Sequence, residues 1–389
     1  MRAAHILVVD DEPGIVRAVD RVLGGVHHVT GTSSSRTALS LAEQLKPELA
    51  ILDIRMPDLD GFELMTQLKA RLPDVDVILM TGSLDDLDEK LVRALRSPAF
   101  YFIQKPFDRD VLLTLVERCL ELRWRREDHQ RTLERLETEM AEARAFQQSL
   151  LPEPEALLNG LYICCRYVPY VRLGGDLYDY VDVGNGCTAL LIADVSGHGV
   201  SAAMLTGVVK SAFRASNADG YDPCAVVRRV WSGLSAFAPD RFVTLFSGLV
   251  STGERQLRYV NAGHPPIVLW NMGRKTEWLE SNGPIISPAL AASTWDVGTV
   301  RIDEGDQLLL YTDGVSEVLA DTNECSQARM EMLIRREGLH GTEVLDAILN
   351  AVHNDLAGAQ LPDDVTLLTA RVLDAAPSQN PVESVVFRA

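Results

Sequence analysis

Four short apolar runs, HILVV at 5–9, LAILD at 49–53, DVILMTG at 76–82 and FYFIQKP at 100–106, punctuate the first 120 residues. Within them apolar residues follow one another instead of alternating with polar ones, so each predicts a strand covered on both faces. The stretches between and after them, GIVRAVDRVL, TALSLAEQL, FELMTQLKARL and DVLLTLVERCL, space their apolar residues by threes and fours. That is the period of helices lying on a sheet. Strands joined through helical crossovers pair in parallel, which makes this region an α/β doubly wound domain.

The strand ends are polar in a way that a packed core does not need. Asp10 and Asp11 follow the first run, Asp53 ends the second, Thr81 ends the third and Lys105 follows the fourth. In a doubly wound sheet these ends face the crevice where ligands sit. Carboxylates gathered there repel one another unless a cation holds them, and an all-oxygen set suits Mg²⁺. Asp11 and Asp53 are the expected direct ligands, with Asp10 acting through water. Lys105 is placed to pair with a carboxylate or a phosphoryl oxygen.

Beyond residue 120 the pattern changes. The segment ELRWRREDHQRTLERLETEMAEARAFQQSL (121–150) is charge-rich and has neither Gly nor Pro, which predicts a long helix. Spacings of four and three link Leu115, Cys119, Leu122, Arg126, His129, Leu133, Leu136, Met140, Ala143, Gln147 and Leu150 into a heptad-like seam. The seam predicts a coiled-coil linker over 121–152 and a homodimer formed through it. A helix lying on one of the two domains is the other reading of the same spacing.

After Pro154 come hairpin-like strands and helical stretches, an α+β pattern, with carboxylates beside apolar strands in LGGDLYDYV, LLIADVSGHGVSAAML, LLLYTDGVSEV and LPDDVTLLTARV. Asp176, Asp194, Asp313 and the pair Asp363 and Asp364 are the acids concerned. Brought to one point from distant segments they would be unstable alone, and they describe a two-metal site. Gly174 and Gly175 allow close backbone approach there.

At 389 residues the chain can build two domain cores. Its 37 Lys plus Arg against 55 Asp plus Glu give a net charge of -18, which repels phosphate backbones and anionic bilayers, so neither nucleic acid nor membrane is an expected partner. No apolar run approaches the roughly 20 residues of a spanning helix, and the start MRAAHILVVDDE lacks the features of a signal peptide. Six cysteines without CxxC or disulfide-like spacing fit a reducing compartment, and the cytoplasm is the expected location. A mobile tail is expected over 375–389.

With these residues in view, 5–120 resemble a response-regulator receiver domain. The resemblance implies a flavodoxin-like fold over 1–120, Asp53 as phosphoacceptor, the backbone carbonyl of Arg55 completing the Mg²⁺ shell with Asp10, Asp11 and Asp53, and Thr81 with Phe102 and Lys105 as the switch. It also implies a cognate histidine kinase. Gly82 departs from the small residue, often Ala, that is usual after the threonine.

Residues 160–373 resemble the PPM family of metal-dependent Ser/Thr protein phosphatases, in its bacterial stress and sporulation branch (SpoIIE/RsbU-like). In that branch a helical linker ending like QQSLLP (147–152) leads into the phosphatase. A β-sandwich flanked by helices is implied over 153–374. Asp194 would bridge two Mn²⁺ or Mg²⁺ ions, Asp176 would bind one, Asp313 and Asp363 the other, and the carbonyl of Val195 would contribute, with Asp364 behind the ligands. Hydrolysis of a phosphomonoester by metal-activated water follows from that assignment. Some positions depart from the family: Ser196 stands where better-known members have His, with His198 two residues later, and His264 stands where many relatives carry an Asp for a third metal. Arg172, before GGD, either touches substrate phosphate or is solvated. The implied substrate is a phosphorylated STAS-type anti-sigma factor antagonist in a partner-switching pathway; the alternative is an inactive adaptor that binds a sigma factor or its regulator.

Overall fold

The computed structural model describes residues 2–82, 100–170, 173–273, 275–290, 294–320, 326–336 and 339–373. The expected mobile tail, 375–389, lies outside them, and so does Arg172. The chain divides into two compact units, Met1–Glu137 and Thr138–Ala389.

In the first unit, strands β1 (His5–Val9), β2 (His28–Thr32), β3 (Leu49–Asp53), β4 (Asp76–Thr81) and β5 (Phe100–Gln104) form a parallel sheet in the order β2-β1-β3-β4-β5. Helices α1 (Pro13–Leu23), α2 (Ser35–Leu45), α3 (Gly61–Arg71) and α4 (Arg109–Ser149) follow the helix-period segments. Successive side chains of a strand point to opposite faces. Ile6 and Val8 therefore pack with Val19 and Leu23 of α1 and with Leu112 and Val116 of α4. Leu7 and Val9 pack with Ala38 and Ala42 of α2 and with Leu64 and Leu68 of α3. Both faces are covered, as the unbroken apolar runs require.

Helix α4 is 41 residues long and runs without interruption through the boundary expected at 120. Its start belongs to the first unit's core, where Leu112, Val116, Cys119 and Leu120 are buried. Further along, the Arg126 guanidinium donates to both carboxylate oxygens of the buried Asp76, at 3.0 and 2.9 Å. Cys119 and Arg126, two seam positions, are thus spent on their own domain. Leu133 and Leu136 remain 43 % and 51 % exposed.

The second unit stacks two antiparallel sheets. One has the order β14-β11-β10-β9-β8, from β8 (Asp176–Gly184), β9 (Cys187–Val195), β10 (Val243–Ser251), β11 (Gln256–Ala262) and β14 (Gly298–Arg301). The other runs β13-β12-β15-β16-β7-β6, from β6 (Glu155–Leu158), β7 (Leu161–Val168), β12 (Ile267–Trp270), β13 (Glu277–Leu279), β15 (Gln307–Tyr311) and β16 (Val365–Val372). Their facing sides share a core that includes Tyr178, Ile192 and Phe246 from the first and Ile163, Leu310 and Leu368 from the second. Helices α5 (Val200–Ala215) and α6 (Pro223–Phe237) cover the outer face of the first sheet. Helices α7 (Asp313–Ala320), α8 (Ser326–Ile334) and α9 (Thr342–Leu356) cover the second. This is a β-sandwich flanked by helices. Among the described residues no helix is long and apolar enough to cross a membrane.

Candidate functional site

Each unit gathers one set of acids at its strand ends. In the first, Asp10 follows β1, Asp53 ends β3, and ligand oxygens of Asp10, Asp11 and Asp53 lie within 4.8 Å of one another. Asp10 and Asp53 are buried, whereas Asp11 is exposed. Lys105, just past β5, reaches into the group, with Nζ 2.6 Å from Asp10 Oδ2 and 2.7 Å from Asp53 Oδ1. Burial pushes the Asp53 carboxyl up, the Lys105 hydrogen bond and charge pull it down, and Asp10 and Asp11 push it up again. One ammonium does not neutralise three carboxylates. Burial alone would lower Lys105, but its hydrogen bonds and charge contacts with Asp10 and Asp53 prevail and its pKa rises.

The other receiver positions sit around this group. The buried Thr81 ends β4 and its carbonyl accepts from Lys105 N at 2.7 Å. Phe102 pairs in register with Leu79, two residues from Thr81, so Phe102 and Thr81 share a face on adjacent strands. Arg55 lies two residues past Asp53 in the loop before α3. A Cβ on Gly82 would meet nothing within 4 Å, so the usual Ala would fit there. Gly61 is different: its Cβ would lie 2.2 Å from the Asp53 carbonyl oxygen. That close approach behind Asp53 had no signal in the sequence.

In the second unit, Asp176 and Asp194 are register partners on β8 and β9. The hydroxyls of Thr312 and Thr366 both donate to Asp176 Oδ2, at 2.7 and 2.6 Å. Asp313 begins α7 one residue beyond the end of β15, after Thr312, and Asp363 precedes β16. Asp194 is pushed up to about 7, first by burial and then by the charges of Asp313, Asp363, Asp364 and Glu317. Asp176 is raised by burial and by Asp194 and Asp364, and Asp313 by burial, Asp363 and Glu317. The sequence-predicted acids are therefore neighbours, and the charges that move Asp194 are all other carboxylates.

Asp364 is engaged by main chain, with Oδ1 accepting from Tyr170 N at 2.7 Å and Oδ2 from Gly175 N at 2.6 Å. A Cβ on Gly175 would stand 2.5 Å from the Val195 carbonyl oxygen and 3.3 Å from Asp194 Oδ1, so the GGD turn needs glycine to approach the site. Ser196 is tied to the chain before β10, its Oγ accepting from Phe242 N at 3.0 Å. His198 is exposed in the loop before α5. His264 is enclosed, with Nδ1 3.0 Å from Thr244 Oγ1, and burial pushes its pKa down to about 3, so it is neutral. Glu317 was missed, although a carboxylate four residues after Asp313 on a helix shares its face. Thr312 and Thr366 carried no spacing signal.

Family comparisons follow the same division. The family model for the response regulator receiver domain matches residues 6–117, and that for stage II sporulation protein E (SpoIIE) matches residues 184–373. The chain joins a receiver domain to a SpoIIE domain. Protein IcfG of Synechocystis is 29 % identical over 260 residues, 59 % of this chain and 41 % of that protein. Phosphoserine phosphatase RsbP of Bacillus subtilis is 30 % identical over 188 residues, 47 % of this chain and 46 % of its own. This chain thus spans less than half the length of these curated relatives. The SiaA-PP2C domain of Pseudomonas aeruginosa superposes with a TM-score of 0.53 at 20 % identity, covering 62 % of this chain and 97 % of that one. The SpoIIE domain therefore has the PP2C fold.

Proposed function

We propose that the chain is a two-component response regulator whose receiver, phosphorylated on Asp53 by a cognate histidine kinase, controls a metal-dependent protein serine/threonine phosphatase. The observation that carries this reading is that Asp176 and Asp194 are register partners on β8 and β9, with Asp194 raised by burial and by the charges of Asp313, Asp363, Asp364 and Glu317. Clustered carboxylates that raise one another's pKa fit hard divalent cations. Two Mn²⁺ or Mg²⁺ ions there would supply the Lewis acidity that activates water and neutralises phosphoryl oxygens. The protein's own contribution is placement. Thr312 and Thr366 hold Asp176 by one oxygen, and Asp364 holds the GGD turn. Asp194 is the shared ligand in this reading, with Asp176 on one side, Asp313 and Asp363 on the other, and the Val195 carbonyl beside them.

The receiver acids Asp10, Asp11 and Asp53, with the Arg55 carbonyl, hold Mg²⁺ in the same scheme, and Lys105 transfers its contact to the phosphoryl group while Thr81 and Phe102 respond. The domains are a receiver over 1–120, a linker over 121–152 and a phosphatase over 153–374. Leu133 and Leu136, exposed on α4, support a parallel homodimer through the linker. The substrate is a serine- or threonine-phosphorylated STAS-type anti-sigma factor antagonist in the cytoplasm; the phosphoserine phosphatase name of the RsbP relative supports the reaction class. The test is phosphate release from a phosphoserine-bearing STAS domain in Mn²⁺, before and after acyl phosphorylation of the receiver. The reading predicts release whose rate changes on phosphorylation in wild type and not in Asp53→Ala. Release unchanged by phosphorylation would remove the control, and absence of release would remove the enzyme.

A further inference from the structure

The end of α4 enters the SpoIIE domain through a single buried amide. Gln147 is 7 % exposed, and both ends of its side chain are committed to one residue. Its Nε2 donates to the Gly174 carbonyl at 2.7 Å, and its Oε1 accepts from Gly174 N at 3.2 Å. Gly174 opens the GGD turn that ends in Asp176. On the other side of the same turn, a Cβ on Gly174 would lie 2.2 Å from Asp364 Oδ2 and 2.4 Å from Tyr167 Oη. Gly175 N donates to Asp364 Oδ2 at 2.6 Å, and Gly175 O accepts from Val195 N at 3.1 Å. The turn is thus gripped between the helix amide and Asp364. Its position fixes where Asp176 leaves toward Asp194.

We infer that Gln147 is a positioning residue for the metal ligands, and that the seating of α4 is read by the site through its two hydrogen bonds to Gly174. This rests on the metal-dependent phosphatase reading above and adds how that site is set. The contact depends on how α4 is rotated. With side chains roughly 5 Å from the helix axis, a rotation of about 30° moves the amide by about 2.6 Å, enough to break both hydrogen bonds to Gly174. The glycine's buried N–H and C=O then lose their partners, and the turn must move to find others. An apolar side chain at the same position would pack without selecting a helix orientation. A polar residue in a heptad-like seam therefore has a use unrelated to pairing.

The test uses the full chain with Gln147→Leu, which keeps the bulk and removes both hydrogen bonds, and Phe146→Ala, an exposed neighbour, as control. Calorimetric Mn²⁺ titration and hydrogen exchange of the Gly174 and Gly175 amides are the readouts. For Gln147→Leu, Mn²⁺ affinity should fall at least tenfold and exchange at both amides should rise at least tenfold, with turnover recovering at saturating Mn²⁺. Phe146→Ala should match wild type. Should Gln147→Leu not fold, Gln147→Ala, which also removes both hydrogen bonds, carries the same expectation. Amide exchange and Mn²⁺ affinity within twofold of wild type would overturn the inference. A wild-type chain that binds no Mn²⁺ would instead overturn the phosphatase reading, and the exchange data would still decide whether Gln147 holds the turn.

Discussion

The receiver and the SpoIIE domain both gather buried aspartates at strand ends, but among the described residues the ion pairs to these acids are found at the receiver group. Lys105 bridges Asp10 and Asp53 at 2.6 and 2.7 Å, so the receiver group has an internal counter-charge. Around Asp194 the effect is the reverse: the charges acting on it come from Asp313, Asp363, Asp364 and Glu317, and each raises its pKa. Two sites with similar ligand chemistry thus face opposite problems when empty. In the proposed reading the receiver exchanges one positive partner for another, whereas at the second site bound ions would relieve the repulsion.

The largest effect that sharpens this contrast is expected at Asp194. Asp194→Ala should lower phosphate release by roughly a thousandfold or more, because the shared ligand of both ions is lost. In chelator the same variant should melt no lower than wild type, since one repelling charge has been removed. A variant that kept activity would break the assignment of Asp194. Next comes Lys105→Met, which turns the receiver group into an uncompensated one. Without Mg²⁺ it should destabilise the receiver by on the order of 3 kcal/mol, the scale of breaking a buried pair from one side, and Mg²⁺ should restore part of that. Equal urea midpoints for the receiver transition with and without Lys105 would show that the ion pair is not what balances the acids.

How far the sequence reached differs between these regions for physical reasons. Strands β1, β3 and β4 were legible because both faces are buried and their apolar runs are unbroken, and the edge strand β5 because its run is unbroken although Tyr101 and Phe102 are only half-buried. Strand β2, HVTGT, lies at the sheet edge, half exposed, and has no such run. The aspartates could be read because acids beside apolar strands are conspicuous. Thr312 and Thr366 could not, since they reach Asp176 across 136 and 190 residues of chain. Spacing placed Arg126 and Gln147 in one seam, yet the first is bonded to Asp76 and the second to Gly174. Periodicity reports which face a residue occupies, not what meets it there.

A smaller effect concerns His264, whose burial lowers its pKa to about 3. Because the folded value lies below the usual 6.5, the unfolded chain takes up the proton first. The stability of burying it neutral is complete above pH 6.5 and is lost as pH falls from there toward 3, by about 1.4 kcal/mol per unit. The carboxylates raised in the folded state act in the opposite direction. Comparing wild type with His264→Gln in chelator cancels them, and urea melts at pH 6.5 and 5.5 should show the extra loss in wild type alone. Parallel pH profiles would place His264 outside the core. The smallest stability change, within about 0.5 kcal/mol, is expected for Leu133→Asp with Leu136→Asp, since both are exposed. Sedimentation should nevertheless show monomers; a double variant that stays dimeric removes the linker pairing.

The central contrast is tested most directly by calorimetric titration of the full chain with Mn²⁺, with phosphate release followed on the same samples. Two ions should bind to wild type beyond any site that Asp53→Ala removes, release should rise with their occupancy, and both should vanish in Asp194→Ala. Release that persists in chelator, or Asp194→Ala binding Mn²⁺ as wild type does, would contradict the account.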